Sequence, residues 1–251
     1  MHWGAAGVKH GTPRMLVTLI RELGFVDACF YVVDRLSSAL SGKRARLHKY
    51  HFMAQPVAAS PWLPPRRGAH FEVRRLHRGD PALRIFPRSE RAFPHRFDQG
   101  AVCLAAFKSQ EPIGFLWLSL GPYQEDEVRC RYVPLPQGKA AWDFDVYITP
   151  EHRSSPVFLR LWDEANHLLR SQGVGWSFSR VSAFNPLSAA SHSRMGAFRI
   201  GAAVFATFGR WQLSVASLPP YLHLSRHSAS VPEFQLNPKP AAGRETFAAD
   251  A

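Results

Sequence analysis

The sequence has little cysteine. Its three cysteines, Cys29, Cys103 and Cys130, are spread over 251 residues. They are too few and too scattered for a disulfide framework, and no pair has the spacing of a metal site. Reduced thiols, no bound metal and a cytoplasmic location are therefore expected. The first residues also lack the charged segment and the continuous apolar run of a signal peptide.

Long hydrophobic runs are missing as well. The most apolar segment, 15–40, is interrupted by five charged residues, which are Arg21, Glu22, Asp27, Asp34 and Arg35. Because burying so many charges in a bilayer is costly, no transmembrane segment is expected. Hydrophobic residues still make up 46% of the chain, which is enough for a folded core.

Acidic residues are scarce, and the formal net charge is +12. Basic residues crowd the first hundred positions, including Lys43, Arg44, Arg46, Lys49, Arg66, Arg67, Arg74, Arg75 and Arg78. Such a field favours anions such as nucleic acid, anionic lipid or a phosphorylated small molecule. The alternative is an arginine-rich solvated surface, since no aromatic-interleaved RNA-binding motif and no zinc-finger spacing accompanies the charge.

Composition divides the chain into three parts. Apolar residues at helical spacing predict helices at about 12–24 and 26–40, followed by a proline-rich connector at 55–67. Beyond residue 217 the composition turns to Pro, Ser and Ala without periodicity, which predicts disorder. We therefore expect a helical, basic N-terminal extension over 1–66, a central domain over 67–216 and a disordered tail over 217–251.

The central part alternates between strand and helix patterns. The predicted strands are 70–76, 101–107, 113–120, 142–148, 176–183, 200–208 and 212–216, and the predicted helices are 156–172 and 186–195. In the strand 142–148, alternation places Trp142, Phe144, Val146 and Ile148 on one face and Asp143, Asp145 and Tyr147 on the other. Several strands followed by a strand–helix–strand crossover predict a mixed sheet with helices packed against it.

Three local patterns resemble the GNAT N-acetyltransferases. Ile148, Pro150 and Arg153 stand where that family often has a hydrophobic residue, a proline and an Arg or Gln ahead of its cofactor loop. Asn185 opens the next helix, as an Asn commonly does there, and Gly196-Ala197-Phe198 resembles the Gly-Phe that ends it. The resemblance implies an α/β (α+β) fold with a mixed, mostly antiparallel central sheet flanked by helices. It also implies an acyl-CoA-dependent N-acyltransferase that moves an acetyl or other short acyl group to an amine.

The resemblance further implies where the co-substrate, acetyl-CoA or another acyl-CoA, would bind. Its pyrophosphate would lie at the N-terminus of the helix 156–172, where backbone N–H groups and the helix dipole favour an anion. The candidate residues for this site are Ile148, Arg153, Ser154, Ser155 and Asn185. The sequence departs from the family here, because Pro156 and Phe158 stand where the loop glycines usually are and proline lacks an N–H. A GNAT-like scaffold with an altered cofactor site is the alternative.

Candidate catalytic residues follow from the chemistry of amine acylation, which needs a base. Asp143 stands where several GNAT proteins carry a glutamate, and Asp145 is its neighbour on the same predicted face. Two like charges so close are expected to raise the pKa of one carboxyl group. His192 stands where the family frequently has a tyrosine that protonates the departing thiolate. The alternatives are carboxylates paired with arginines or solvent, and a histidine with only a packing role.

One acidic cluster, Glu125-Asp126-Glu127, follows the strand 113–120. Together with Tyr147 it is the predicted binding site for a cationic amine acceptor, and a solvated loop is the commoner explanation for such a run. The sequence does not identify the acceptor, which could be a small molecule or a polymer. A second function stays open, in which a non-catalytic GNAT-like module docks on nucleic acid or an anionic surface through its basic N-terminal half.

Overall fold

Five helices and twelve strands form in the residues that this computed structural model describes, which are 13–86, 92–227 and 229–238. The helices are α1 (Pro13–Leu23), α2 (Phe25–Leu40), α3 (Ala92–Asp98), α4 (Val157–Ser171) and α5 (Pro186–Arg194). Short 3-10 turns form at Pro81–Arg84 and Pro150–His152. The strands are β1 (Ala45–Pro56), β2 (Glu72–Leu76), β3 (Val102–Lys108), β4 (Glu111–Ser119), β5 (Tyr123–Gln124), β6 (Arg131–Pro134), β7 (Ala140–Ile148), β8 (Trp176–Ser182), β9 (Phe198–Phe208), β10 (Trp211–Ala216), β11 (Leu222–Ser225) and β12 (Glu233–Leu236).

Nine of these strands form one sheet in the order β11-β10-β9-β1-β8-β7-β4-β3-β2. Every neighbouring pair is antiparallel except β7 and β8, which run parallel because α4 connects them as a crossover helix. The three remaining strands form a small sheet, β12-β6-β5. The predicted fold class, a mixed and mostly antiparallel sheet flanked by helices, is confirmed.

The large sheet has a core on each face. On one face, which we name the α4 face, the apolar stripe of α4 with Leu161, Trp162 and Leu169 packs on Leu104 and Leu116 of the central strands. On the opposite face, the small-sheet face, aromatic side chains dominate the contacts with β6 and β12. Tyr132 stacks on Trp142 at 4.0 Å between ring centroids, and Phe52 lies 5.4 Å from Phe234. These two layers fix the orientation of every strand that contributes to the site.

The structure differs from the predicted division of the chain at its N-terminal part. β1 lies within the residues predicted as a helical extension, and it is inserted between β8 and β9 in the middle of the large sheet. Its side chains Tyr50, Phe52 and Ala54 alternate on the small-sheet face and are buried. The period of two is weak in the sequence, because His51 and Met53 stand between these residues and Met53 is itself apolar and buried.

The residues predicted as a disordered tail also contain strands. β11 pairs with β10 at the edge of the large sheet, and β12 pairs in parallel with β6. Phe234 and Leu236 of β12 are both fully buried in the core of the small-sheet face. A strand of four residues is too short to show a period, so composition alone could not reveal it.

Among the residues that the structure describes, no helix is long and apolar enough to cross a membrane.

Candidate functional site

A cleft opens in the large sheet where its two parallel strands separate. β7 and β8 pair only at their first residues, the last pair being Trp142 with Phe178, although both strands continue further. The space between the diverging ends is lined by β7, β8, the start of α4 and the side of α5. Its lining residues include all three predicted catalytic residues, Asp143, Asp145 and His192. The fold therefore brings together groups that the sequence separates by about fifty positions.

Asp143 is the most deeply buried carboxylate of the cleft, with 1% of its surface exposed. It lies on the α4 face of β7, and its Oδ2 accepts a hydrogen bond of 2.6 Å from the hydroxyl of Ser177 on β8. Burial raises the pKa of Asp143 to about 7, and the hydrogen bond from Ser177 opposes part of that rise. A carboxyl group with such a pKa exchanges its proton readily near neutrality.

Asp145 lies on a β-bulge that changes the predicted faces of β7. Two residues of β7 stand opposite one residue of β4 here, and Asp145 has a positive φ of 47°. The bulge turns Tyr147 towards the small-sheet face and leaves Val146 and Ile148 on the α4 face. The prediction that Asp143, Asp145 and Tyr147 share one face is therefore wrong, because strict alternation holds only in a strand without a bulge.

The negative charge of Asp145 is balanced by an arginine, and Asp143 lies on the opposite face of β7. Nη1 of Arg96, on α3, donates to its Oδ2 at 2.7 Å, and the side chain of Arg96 is only 7% exposed. The predicted repulsion between two neighbouring carboxylates is therefore not what raises the pKa of Asp143. Burial in the protein does so.

His192 projects from α5 into the same cleft. Its Nδ1 lies 3.4 Å from Oε1 of Gln55 on β1, and its ring meets Trp162 edge to face at 6.0 Å. Burial lowers the pKa of His192 to about 4, since the interior disfavours the charged imidazolium. The imidazole is thus neutral near pH 7. The predicted acid, an imidazolium that protonates a thiolate, is scarcely populated at that pH.

The acidic cluster 125–127 is bound to arginines, and of its three residues Glu125 is buried while Asp126 and Glu127 are exposed. Glu125 is buried and forms two hydrogen bonds of 2.8 Å with Arg180 of β8, which also bonds Glu127 at 3.0 Å. Asp126 accepts a bond of 2.7 Å from Nε of Arg96. Arginines from distant parts of the chain already bind these carboxylates, and the buried charge of Glu125 requires such a partner. The predicted contact of the cluster with an acceptor amine stays a prediction.

Arg96 and Arg180 connect the loop of the acidic cluster to the two strands of the cleft. Arg96 bridges Asp126 to Asp145 on the bulge of β7, and Arg180 anchors Glu125 to β8. Each arginine is bonded to two carboxylates, so the small-sheet side of the cleft keeps a negative balance. The field on this side favours a positively charged molecule.

The N-terminus of α4 adjoins the cleft and carries the predicted cofactor residues. Arg153 and Ser154 are exposed, and Nε of Arg153 donates to the carbonyl of Ile148 at 3.2 Å. The hydroxyl of Ser155 donates to the carbonyl of His152 at 2.6 Å. Both bonds hold the 3-10 turn that precedes α4.

This turn uses backbone N–H groups that an anion would need. The amides of His152, Arg153 and Ser155 donate to carbonyls within the turn, and Pro156 has none to offer. Phe158, the second residue of α4, lines the cleft. The cleft itself has about 30 Å³ of free space, which is room for one or two water molecules. The turn at Pro150–His152 therefore offers an anion fewer backbone donors than a helix N-terminus normally does.

The remaining predicted site residues have structural neighbours of their own. Asn185 caps α5, accepting a bond of 3.1 Å from the amide of Ser188, and Ile148 is buried in the core of the α4 face. Tyr147 stacks on Phe115 at 5.6 Å and meets Phe86 at 6.2 Å. The roles proposed for these residues stay predictions.

Sequence reasoning missed several residues that line or support the cleft. Ser177 and Ser179 alternate on β8 and are buried on its α4 face, where Ser177 contacts Asp143. Gln55, which contacts His192, belongs to the unpredicted strand β1. Polar residues at alternate positions of a predicted buried strand were the available signal for the two serines.

The basic residues of the N-terminal half are partly paired within the chain. Lys49 lies 2.5 Å from Asp27, Arg46 lies 3.5 Å from Asp34, and Arg78 forms an ion pair with Asp98. The guanidinium of Arg74 lies over the ring of Phe107. Nothing in this arrangement singles out a surface for an anionic partner. In the described part of the chain, no group of three or more His, Cys, Asp or Glu side chains is placed to hold a metal ion.

Comparison with known proteins finds similarity at the level of structure only. No protein-family model matches the chain, and the search of curated proteins gives no match. Solved structures that are similar include a tandem GNAT protein from the clavulanic acid biosynthesis pathway, with 13% identity and a TM-score of 0.47 over 68% of this chain and 57% of that one. A conserved protein of unknown function from Staphylococcus epidermidis has 9% identity and a TM-score of 0.47 over 70% of this chain and 67% of that one.

An aminoglycoside acetyltransferase from an uncultured soil metagenomic sample is also similar, with 10% identity and a TM-score of 0.37 over 51% of this chain and 88% of that one. The solved structures similar to this chain thus include GNAT proteins, as the sequence patterns around Arg153 and Asn185 predict.

Proposed function

We propose that the chain is an acyltransferase that moves an acetyl or other short acyl group from acyl-CoA to an amine, in the cleft between β7 and β8. One observation carries the proposal. Asp143 is a buried carboxyl group whose pKa is raised to about 7, and it lies where two parallel strands separate. A sealed acidic group of this kind destabilises the fold, and such groups concentrate where proton transfer is needed.

In this proposal Asp143 is the general base. The amine nitrogen attacks the thioester carbonyl carbon, forming a C–N bond as the C–S bond breaks. The carboxylate of Asp143 takes the proton that the nitrogen must lose, directly or through a water molecule in the cleft. The CoA thiolate leaves with the electron pair of the broken bond. His192, being neutral near pH 7, serves in this scheme as a hydrogen-bonding wall of the cleft rather than as the acid.

The donor would bind from the side of α4. Arg153 and Ser154 are exposed at the start of that helix, where the positive end of its dipole favours a pyrophosphate. Because the cleft has room for only one or two waters, the thioester arm needs the side chain of Phe158 to move. The acceptor would approach from the small-sheet side, where the carboxylates bound to Arg96 and Arg180 attract a cationic amine.

Equilibrium binding tests the donor site. Calorimetry with CoA and acetyl-CoA should show binding that Arg153→Ala weakens about tenfold, the loss expected for a charge-assisted contact. Arg194→Ala, an exposed arginine at the end of α5, is the matched control and should bind like the unaltered chain. Release of the CoA thiol in the presence of a panel of amines then measures transfer.

Failure to bind any short acyl-CoA would rule the proposal out. The chain would then be a GNAT-like module without this chemistry, as the occupied amides of the turn at Pro150–His152 allow. Binding to nucleic acid or anionic vesicles with a steep dependence on salt concentration would identify that second function.

A further inference from the structure

At the β11 edge of the large sheet, the usual pattern of buried apolar and exposed polar side chains is inverted. In β10 and β11, the polar side chains of Gln212, Ser214 and Ser225 are buried on the small-sheet face. The side chains between them point to the α4 face and are large, apolar and exposed. They are Trp211 (42% exposed), Leu213 (40%), Val215 (48%), Leu222 (67%) and Leu224 (59%). A surface strand normally presents polar residues to water and apolar ones to the core.

These side chains form one continuous patch, which we name the β9–β11 face. The register places Leu213 beside Leu224, and Val215 beside Leu222, on neighbouring strands. Phe208 of β9, 62% exposed, stands opposite Trp211. β10 and β11 contain no Asp, Glu, Lys or Arg, although charged residues make up 20% of the chain. The guanidinium of Arg226 lies over the ring of Trp211 at one edge of the patch, 5.2 Å from the ring centroid, and the other side chains of the patch are apolar. An apolar patch of this size marks an interaction surface.

A second apolar surface lies on α2, which packs on β1 beside this patch. The side of α2 that faces the sheet carries Asp27, paired with Lys49, and Asp34, paired with Arg46. The opposite side points away from the protein, and its apolar residues recur at alternate spacings of three and four. They are Val26 (57% exposed), Cys29 (exposed), Val33 (53%), Leu36 (57%) and Leu40 (88%). This spacing is typical of a helix that packs along its length against another element. We name it the α2 stripe.

The β9–β11 face is wide enough to take one helix. On the α4 face, α4 and α5 cover strands β2 to β4, β7 and β8, and α2 covers β1. The next strands, β9, β10 and β11, together span about 14 Å, and one helix is about 10 Å across. The β9–β11 face is therefore wide enough for a single helix lying beside α2.

We propose that a second copy of this chain covers the β9–β11 face with its α2 stripe. In the resulting homodimer two sheets face each other across one layer of helices, and that layer contains α2 from each copy, side by side around a two-fold axis. Each α2 contacts its own β1 on one side and the partner's β9–β11 face on the other. The contact is reciprocal, so it closes at two copies. This inference does not rest on acyl transfer.

The exposed area is sufficient for such a contact. A large apolar side chain has on the order of 200 Å² of surface. At their exposures, the side chains of the β9–β11 face and the α2 stripe together present roughly 1,000 Å² per copy, and a standard interface takes about 800 Å² from each partner. A single two-fold contact also removes both apolar surfaces from water, because the α2 stripe of each copy covers the β9–β11 face of the other.

Molar mass in solution tests the dimer. Light scattering coupled to size exclusion, between about 1 and 100 µM, should give twice the chain mass of 28.2 kDa at the upper concentrations. Leu213→Glu on the β9–β11 face and Leu36→Glu on the α2 stripe should each weaken the dimer by at least about tenfold. Ile85→Glu, at a residue 63% exposed outside both surfaces, is the matched control and should leave the dimer intact.

Thiol labelling gives an independent measurement, since Cys29 lies in the α2 stripe while Cys103 and Cys130 are fully buried. Labelling of Cys29 should slow as the protein is concentrated, and Leu213→Glu should abolish that protection. A monomer at every concentration would overturn the proposal. So would a dimer that survives both substitutions, or one in which Cys29 labels equally fast at all concentrations.

Discussion

At the scale of single residues, Asp143 is the group on which the proposed reaction depends. Its carboxyl group is 1% exposed, and Ser177 is its hydrogen-bond donor on the neighbouring strand. In the unfolded chain its pKa would have the ordinary value of 3.8, whereas in the folded protein it is raised to about 7. Folding therefore takes up a proton between these two values, and the stability of the protein depends on pH there.

Replacing Asp143 separates its proposed catalytic role from its effect on stability. Below pH 3.8 the carboxyl group is protonated in both states and has no ionisation penalty. As pH rises to about 7 the folded state loses stability relative to the unfolded one, because only the unfolded state ionises freely. Asp143→Asn should therefore stabilise the protein at pH 8, by on the order of 3 kcal/mol, and have little effect at pH 4. Thermal unfolding at the two pH values measures this.

The same substitution should lower acyl transfer about 10²- to 10⁴-fold. Ser177→Ala is the companion variant. It removes a hydrogen bond that favours the ionised form of Asp143, so the rise of activity with pH should move to higher pH while the reaction persists. Equal unfolding temperatures for Asp143→Asn and the unaltered chain at pH 8 would mean that the carboxyl group is not sealed from water.

At the scale of elements, the bulge in β7 is held by Arg96 of α3. The bulge carries Asp145 to the small-sheet face, and Arg96 bonds it there while also bonding Asp126. One arginine thus fixes the shape of the strand and the position of the loop beside it. Removing it leaves two carboxylates that are largely buried without their cation.

Arg96→Met should therefore destabilise the protein by about 3 kcal/mol or more, the loss typical of a buried ion pair deprived of one partner. The matched control is Arg78→Ala, which breaks the ion pair with Asp98 between side chains that are 54% and 64% exposed. Solvent screens that pair, and its loss should cost below about 1 kcal/mol. Urea unfolding of both variants gives the comparison. Equal losses would contradict the view that Arg96 supports the bulge.

The proline-rich connector 55–67 is joined to α4 by polar side chains of that helix. Asp163 accepts bonds from the amides of Trp62 at 2.6 Å and Leu63 at 3.2 Å. Asn166 accepts from the amide of Ala58 at 3.3 Å, and Arg170 donates to the carbonyl of the same residue. The connector is therefore an ordered cover along α4, and these bonds satisfy backbone groups that no strand pairs.

At the scale of the whole molecule, β1 decides what can fold alone. It pairs with β8 on one side and with β9 on the other, over most of its length. Without it, both neighbours lose a partner in the middle of the sheet, and Tyr50 and Phe52 leave a cavity in the core of the small-sheet face. The boundary predicted at residue 66 would thus divide a single sheet.

A chain limited to 67–216 should not fold, whereas 13–238 should unfold cooperatively as the full chain does. Circular dichroism and the dispersion of amide proton signals in NMR distinguish the two outcomes. Adding a peptide with the sequence of 45–56 to a chain of 67–238, which lacks β1 but keeps β11 and β12, is the matched control, since it restores the missing strand. A cooperatively folded 67–216 would show that β1 is dispensable.

The sequence alone determined the helices and strands whose apolar residues recur at a regular spacing. The alternation in 142–144 and the apolar stripe of α4 predict a strand and a helix because burial of one face is repeated at a fixed spacing. Asn185, which caps α5, is a local signal as well. Together with the order of strands and helices, these signals were sufficient for the fold class.

Tertiary structure decided what depends on partners far away in the chain. Whether Asp143 or Asp145 is paired depends on Arg96 and Ser177, which no local pattern connects to them. The bulge that separates their faces and the insertion of β1 between β8 and β9 are likewise long-range events. The surroundings of a charge or a strand depend on its partners as much as on its own residues. The sequence therefore gives the kind of group at a position but not its surroundings.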